Sequence, residues 1–297
     1  MEKLNARNIT EDEYFYGHKA CGGCGESLAL RLALKVLGED AFLSLPAGCM
    51  SAVSFIYPNM AFKNNAIITP FAAAAAVATG VEAGLRALGK EKPLSVVFAG
   101  DGGTADIGIQ ALSGAIARGE KFVYICTDNE AYMNTGIQKS GLTPYGAATT
   151  TTPAGKVIGG NTSNKKNMFE IVAAHNISYA ATASIGYPED FLQKVKKAKE
   201  IEGPAYIHVY TPCPTGWGTE TNCTIALAKE VVDTGLWPLL EYCNGEYNLS
   251  KHISTFTSVR EHLKKQGRFK HLGEKDFNYL EKQRDIQWKR ILKLTNN

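Results

Sequence analysis

Short apolar runs alternate with helix-length segments rich in small residues along most of this chain, and that alternation leaves few folds open. Leu94 to Ala99 and Lys121 to Thr127 have the length and character of buried strands. Ala72 to Leu88 and Thr104 to Arg118 are small-residue segments suited to lying close on a sheet as helices. Upstream, Glu26 to Leu37 reads as a helix closing at Gly38, and Ala41 to Leu45 as a strand. Downstream, Met168 to His175 and Glu189 to Lys199 are helical, and Tyr179 to Ala183 and Ala205 to Tyr210 are strands. The order predicts an α/β fold, a doubly wound and mostly parallel sheet. Tyr132 to Gly160 interrupts it as a long loop with six glycines and four consecutive threonines, a length that points to function or disorder. Residues 1–244 form one domain in this reading. Residues 245–297, charged and largely helical from Lys251 onward, form a C-terminal extension expected to pack on a partner.

Open parallel sheets bind ligands at the carboxyl ends of their strands. That rule selects four loops: Gly48-Cys49, Gly100-Asp101-Gly102-Gly103, Asp128-Asn129-Glu130 and Pro212-Cys213-Pro214. In the second, glycines let backbone amides reach a phosphate at a helix N-terminus. The aspartate there repels phosphate unless a cation stands between them. Mg²⁺ resolves the conflict, since it takes one or two protein oxygens and fills the rest of its shell with phosphate and water. Asn129, at the end of the neighbouring strand, supplies a second hard oxygen. A Gly-Asp-Gly alone is an ordinary turn; joined to the spaced Asn, it is the thiamine diphosphate fingerprint.

Seven cysteines, an odd number in a long chain, argue against a disulfide framework. Cys21 and Cys24 form a glycine-flanked C-x-x-C, a pattern shared by redox pairs, zinc knuckles and iron–sulfur sites. Met1 to Ala20 carries charges throughout and no apolar run, which argues against a secretory signal. The longest apolar run, Phe71 to Gly80, is mostly alanine and is followed by Glu82 and Arg86, short of a membrane span. A net charge of +3 without an aromatic-interleaved basic stripe excludes a nucleic-acid partner. The expectation is a cytoplasmic protein.

Together these motifs carry a resemblance. Gly100 to Gly108 (GDGGTADIG) and Asp128 to Gly136 (DNEAYMNTG) resemble the β subunit of the 2-oxoacid:ferredoxin oxidoreductases, especially the pyruvate and 2-oxoisovalerate enzymes. So do Thr143-Pro144-Tyr145-Gly146, Cys213 to Trp217 and Gln266 to His271, so the likeness covers nearly the whole chain. The resemblance implies a thiamine diphosphate-binding fold. Asp101, Asn129 and the backbone carbonyl of Ala131 would ligate Mg²⁺. Gly100, Gly102, Gly103 and Thr104 would line the diphosphate, with Cys49 and Tyr132 also against the cofactor. Asn134 would lie near the thiazolium and stabilise charge on the attacked carbonyl, the catalytic role here. Cys21, Cys24, Cys49 and Cys213 would hold a [4Fe–4S] cluster. A structural zinc is the alternative for the same four thiolates.

The implied reaction is oxidative decarboxylation of a 2-oxoacid with coenzyme A to acyl-CoA, CO₂ and reduced ferredoxin. Pyruvate is the first expectation, with 2-oxoisovalerate, 2-oxoglutarate and oxalate behind it. An α subunit would supply the pyrimidine-activating glutamate, and γ and δ subunits or domains the further clusters. The rival reading is a non-catalytic iron–sulfur electron-transfer subunit. Pyruvate-type sequences commonly carry glutamate and asparagine where Ala72 and Ala73 stand, tryptophan at Ala147 and glutamate at Ser51. Elsewhere the reading is plainer. His175 and His208 are core histidines, Trp217 and Trp237 packing anchors, and Lys165, Lys166, Lys194, Lys196, Lys197 and Lys199 solvated faces. Cys126, Cys223 and Cys243 are incidental thiols.

Overall fold

In the computed structural model, which describes residues 3–5, 8–90, 93–155 and 159–295, the alternating pattern becomes one large sheet between two helical layers. The strands are β1 (Phe42–Pro46), β2 (Phe55–Ile56), β3 (Asn59–Met60), β4 (Ala66–Thr69), β5 (Ser95–Gly100), β6 (Phe122–Asp128), β7 (Tyr179–Ser184), β8 (Ala205–Tyr210), β9 (Leu240–Cys243) and β10 (Glu246–Leu249). The helices are α1 (Gly25–Leu37), α2 (Cys49–Ser54), α3 (Ala74–Ala87), α4 (Asp101–Ala105), α5 (Ile109–Arg118), α6 (Met168–Ala173), α7 (Pro188–Glu200), α8 (Pro214–Trp217), α9 (Thr224–Asp233), α10 (Val259–Lys264) and α11 (Glu274–Leu294). The sheet order is β10-β9-β7-β8-β6-β5-β1-β4, and β2 and β3 make a separate hairpin. All pairings from β7 to β4 are parallel; β9 runs antiparallel to both β7 and β10.

Period-two alternation sends each central strand's side chains to two different cores. Val96, Phe98, Val123 and Ile125 pack beneath α1, α7 and α9, whereas Val97, Ala99, Phe122 and Tyr124 pack beneath α3, α5 and α6. Strands buried on both faces must be apolar throughout, which is why these runs show no polar alternation. Register then positions the functional loops. Gly100 pairs with Thr127, and Asp128 with Tyr210, so three loops leave the same end of the sheet side by side.

Four features depart from the sequence reading. β4 and the β9–β10 hairpin are additional strands, short and mixed in polarity. The segment expected as one helix from Thr104 breaks into α4 and α5, and a Cβ at Gly108 would lie 2.0 Å from the Gly103 carbonyl oxygen. The division at residue 244 falls in the turn of the β9–β10 hairpin, where Asn244 is left-handed, with β10 part of the main sheet. The extension is also seated on the chain's own body. Trp288 and Ile291 of α11 are buried in the core that holds Leu240, Tyr242 and Leu249, and the Trp288 indole donates to the Gly235 carbonyl at 2.7 Å. At the opposite edge, the consecutive residues Ile67 and Ile68 of β4 are 41% and 48% exposed.

These contacts predict that Ile291→Ala destabilises the chain by about 2–5 kcal/mol, the usual range for a buried aliphatic truncation. Ile286→Ala, on the exposed side of α11, should stay within about 0.5 kcal/mol. Urea unfolding of both variants measures the difference, and equal midpoints would mean that α11 is not part of the core.

Candidate functional site

Asp101 opens α4 directly at the end of β5, with its carboxylate 1% exposed and accepting from the Ser140 hydroxyl. One strand away, β6 runs into a tight turn. The Glu130 amide donates to Asp128 Oδ1 at 2.9 Å, and Glu130 itself is left-handed at φ 65°. That conformation is costly for a residue with a side chain, so the surroundings must hold it. Asn129 is fixed at both ends of its amide: Oδ1 accepts from the Ala131 N–H at 3.3 Å, and Nδ2 donates to Glu26 Oε1 at 2.8 Å. The Trp217 indole N–H donates to the Asn129 carbonyl at 2.8 Å.

Four buried carboxylates thus gather here: Glu26, Asp101, Asp128 and Glu130. Their partners are unequal. Asp128 is bound by Lys165 at 2.7 Å and His208 at 2.8 Å; although burial opposes it, these hold its carboxyl below the usual range. Glu130 takes Lys165 at 2.8 Å and the Arg268 guanidinium. Among the described residues no cation touches Asp101, and burial, reinforced by Asp128 and Glu26, pushes its carboxyl well above the usual value. Burial likewise raises Glu26 to about 7 against the hydrogen bonds from Thr127 and Asn129.

The residues expected at the diphosphate divide by placement. A Cβ on Gly100 would meet open space, and one on Gly103 only ordinary contacts with Phe71 and Pro46. Gly102 has no room for a side chain: a Cβ there would lie 2.2 Å from the Tyr132 ring, whose hydroxyl donates to the Gly102 carbonyl at 3.2 Å. The Thr104 hydroxyl is buried and committed to the Gly100 carbonyl at 2.8 Å. Asn134 is exposed, outside the hydrogen-bonded cluster around Asp101 and Asn129. Ala147 is fully buried against Val259, Leu263 and Phe269, so its size concerns the packing of the extension.

All seven cysteines are free. Cys21, Cys24, Cys49 and Cys213 share one electrostatic neighbourhood: burial first, then Glu26 and the other three sulfurs, push the Cys49 thiol far up. Burial raises Cys24 to about 11 and Cys213 to about 12. The glycines beside the C-x-x-C allow this convergence through close backbone approach. A Cβ on Gly25 would lie 2.8 Å from the Pro212 carbonyl oxygen, and one on left-handed Gly23 2.1 Å from that of Thr221. Cys213 caps α8, accepting from the Gly216 N–H at 3.3 Å. Among the described residues, no group of three or more His, Cys, Asp or Glu side chains closes on a single ion position.

Sequence reasoning missed Glu26, Ser140, Glu130 and Arg268, and took Lys165 for a solvated residue. Lys165 instead lies between two buried carboxylates, with its ammonium 4.7 Å from the Trp237 ring centroid. Lys194 is also buried, on Asp190 and the Thr182 carbonyl. His208 is a satisfied core histidine, as expected, whereas His175 is exposed, hydrogen-bonded to the Ser113 hydroxyl at 2.8 Å.

Comparison with known proteins agrees with this architecture. The family described as thiamine pyrophosphate enzyme, C-terminal TPP binding domain, matches residues 46–209. The chain is 51% identical over 267 residues to pyruvate synthase subunit PorB of Methanothermobacter marburgensis, covering 90% of this chain and 93% of that one. It is 48% identical over 291 residues to ketoisovalerate oxidoreductase subunit VorB of Pyrococcus horikoshii, covering 96% and 94%. Among solved structures it resembles a 2-oxoglutarate:ferredoxin oxidoreductase from Magnetococcus marinus with 2-oxoglutarate, coenzyme A and succinyl-CoA bound, at TM-score 0.59 and 25% identity over 70% of each chain.

The geometry around the turn predicts that Lys165→Met costs about 3–5 kcal/mol, because two buried carboxylates lose their shared cation. Denaturant unfolding checks it, and a loss below about 1 kcal/mol would show that Asp128 and Glu130 are otherwise compensated.

Proposed function

The chain belongs to the β subunits of the 2-oxoacid:ferredoxin oxidoreductases, and from that membership we propose that it carries the Mg–thiamine diphosphate and [4Fe–4S] sites of a cytoplasmic, multi-subunit enzyme. The reaction is oxidative decarboxylation of pyruvate with coenzyme A to acetyl-CoA, CO₂ and reduced ferredoxin. The single observation that supports it best is a charge deficit. Four carboxylates are buried together, while among the described residues only Lys165 and Arg268 are permanent cations in contact with them. One divalent ion at Asp101 offsets that difference.

Asp101, the Asn129 amide oxygen and the Ala131 carbonyl are hard oxygen donors suited to Mg²⁺. The open direction at Gly100 suits a diphosphate beside them. Cys21, Cys24, Cys49 and Cys213 would hold the cluster as four thiolates, and Cys213, Cys24 and Cys21 each act electrostatically on Cys49. When bound, thiamine diphosphate supplies a carbanion for attack on the 2-oxo carbon and the cluster accepts electrons, one at a time. The Gly216 N–H donated to the Cys213 sulfur would favour the more negative charge state of a cluster held there. Asn134, exposed on this chain, faces a surface that an α subunit would complete, with its amide available to an anionic carbonyl oxygen. The activating glutamate, the further clusters and ferredoxin docking belong to α, γ and δ partners. The ketoisovalerate relative, matched over 96% of this chain, supports 2-oxoisovalerate as the second substrate reading.

The test is to purify the chain with its partner subunits anaerobically and follow viologen reduction with each 2-oxoacid and coenzyme A. Pyruvate should give the highest kcat/KM; no reduction with any 2-oxoacid would overturn the reading. In the same complex, Asp101→Ala should lose thiamine diphosphate on desalting. Cys213→Ser should remove the cluster's paramagnetic signal while Cys223→Ser and Cys243→Ser keep it. Asn134→Ala should retain both cofactors and slow turnover roughly a hundredfold; undiminished turnover would remove it from catalysis.

A further inference from the structure

Glu26 is the one buried carboxylate that belongs by sequence to the cysteine loop and by hydrogen bonding to the metal turn. It is the second residue of α1, two positions beyond Cys24, and is 4% exposed. Its Oε1 accepts from Asn129 Nδ2 at 2.8 Å and from Thr127 Oγ1 at 3.2 Å, so two residues of the β6 end converge on one oxygen. It also stands within electrostatic reach of Cys49, Cys213 and Asp101.

We propose that Glu26 is a positioning residue that locks the Asn129 side-chain amide with its oxygen toward the metal. An asparagine amide has a donating end and an accepting end of nearly the same shape, and rotation by half a turn exchanges them. Oε1 of Glu26 also accepts from the Thr127 hydroxyl, so the oxygen it presents to Asn129 is an acceptor. It therefore takes the NH₂ end, and flipping the amide would set oxygen against oxygen in a buried, poorly screened place. The Ala131 N–H at 3.3 Å holds the other end in the same sense. The backbone carbonyl of Asn129 is held separately by Trp217, so Glu26 acts on the side chain and not on the turn as a whole. Thr127 shares the oxygen of Glu26 and keeps the carboxylate aimed at Asn129.

The position of Glu26 gives this contact a second consequence. Cys24 is the N-cap of α1, and Gly25 donates its N–H to the Pro212 carbonyl at 3.2 Å, next to Cys213. A displacement of the C-x-x-C loop therefore moves the group that orients the Asn129 amide. Assembly at the cysteines and ion binding at Asp101 and Asn129 are mechanically joined through one side chain.

The inference rests on the proposed Mg–thiamine diphosphate site, and the experiment separates the two. The wild-type complex and its Glu26→Ala, Glu26→Gln and Thr127→Val variants are stripped of metal and cofactor. Each is then titrated with thiamine diphosphate at a series of Mg²⁺ concentrations, with binding followed by tryptophan fluorescence. Iron and sulfide are measured in parallel. Glu26→Ala should raise the Mg²⁺ concentration needed for half-maximal binding by about tenfold or more, the usual size of an effect on a ligand-orienting contact. Glu26→Gln, whose amide oxygen still accepts from Asn129, should recover to within about threefold. Thr127→Val should lie between them. An unchanged Mg²⁺ requirement in Glu26→Ala overturns the inference, as does a Glu26→Gln variant as impaired as Glu26→Ala with iron content intact. A wild-type complex that binds no thiamine diphosphate would instead defeat the proposed function itself.

Discussion

Four carboxylates buried behind the carboxyl ends of β5 and β6 create a repulsion that the fold has to manage before any chemistry is possible. Lys165 is the main internal answer, bridging Asp128 and Glu130 from the far side of the long loop. Arg268 answers from the C-terminal extension, with its guanidinium 3.8 Å from the Trp217 ring centroid. The same indole donates to Asn129, so the Arg268 cation, the Trp217 ring and the Asn129 turn lie against one another. What these groups leave unmatched lies at Asp101. The left-handed Glu130 is affordable only because both its carboxylate oxygens and its amide are held.

That arrangement gives the extension a role in the site without its reaching the ligand. Arg268 is held by the Gln266 amide oxygen at 3.0 Å, Gln266 meets His262 at 3.2 Å, and His262 reaches Glu230 of α9 at 3.4 Å. The chain of contacts runs from the Asn129–Glu130 turn through α10 to the helical layer over the first core. Burial of Trp288 and Ile291 anchors the extension independently at the other core, so Arg268 is delivered by an element fixed at two points.

The fold class and the turns at the strand ends were legible because they follow from local rules. Doubly buried strands must be apolar throughout, and a Gly-Asp-Gly at a strand end needs a cation to meet a phosphate. The relations that set the site's electrostatics were not legible. Glu26 and Asn129 are far apart in sequence, and nothing local marks Glu26 as anything but a helix-start acid. Lys165 beside Lys166 looks like a wet surface, and only the path of the loop carries one inward while the other binds Asp106. The need for glycine at 102 was also hidden, since the Tyr132 ring that a Cβ there would meet comes from a loop thirty residues on. The extension's charge pattern hid an inner face of only a few apolar residues on α11, Phe277, Trp288 and Ile291. Short edge elements such as β4, β9 and β10 owe their pairing to the strands beside them and leave almost no periodic signal.

The two margins of the sheet end differently, and this bears on how the chain behaves in a test tube. On one side the antiparallel β9–β10 hairpin and α11 finish the sheet with ordered structure. On the other, β4 is a short terminal strand whose Ile67 and Ile68 are both substantially exposed, so apolar side chains stand on both faces beside free backbone donors and acceptors. Such a margin is a template for strand addition by any extended chain, including another copy in a crowded refolding mixture. In the chain by itself, this four-residue strand is the margin at which such strand addition is expected.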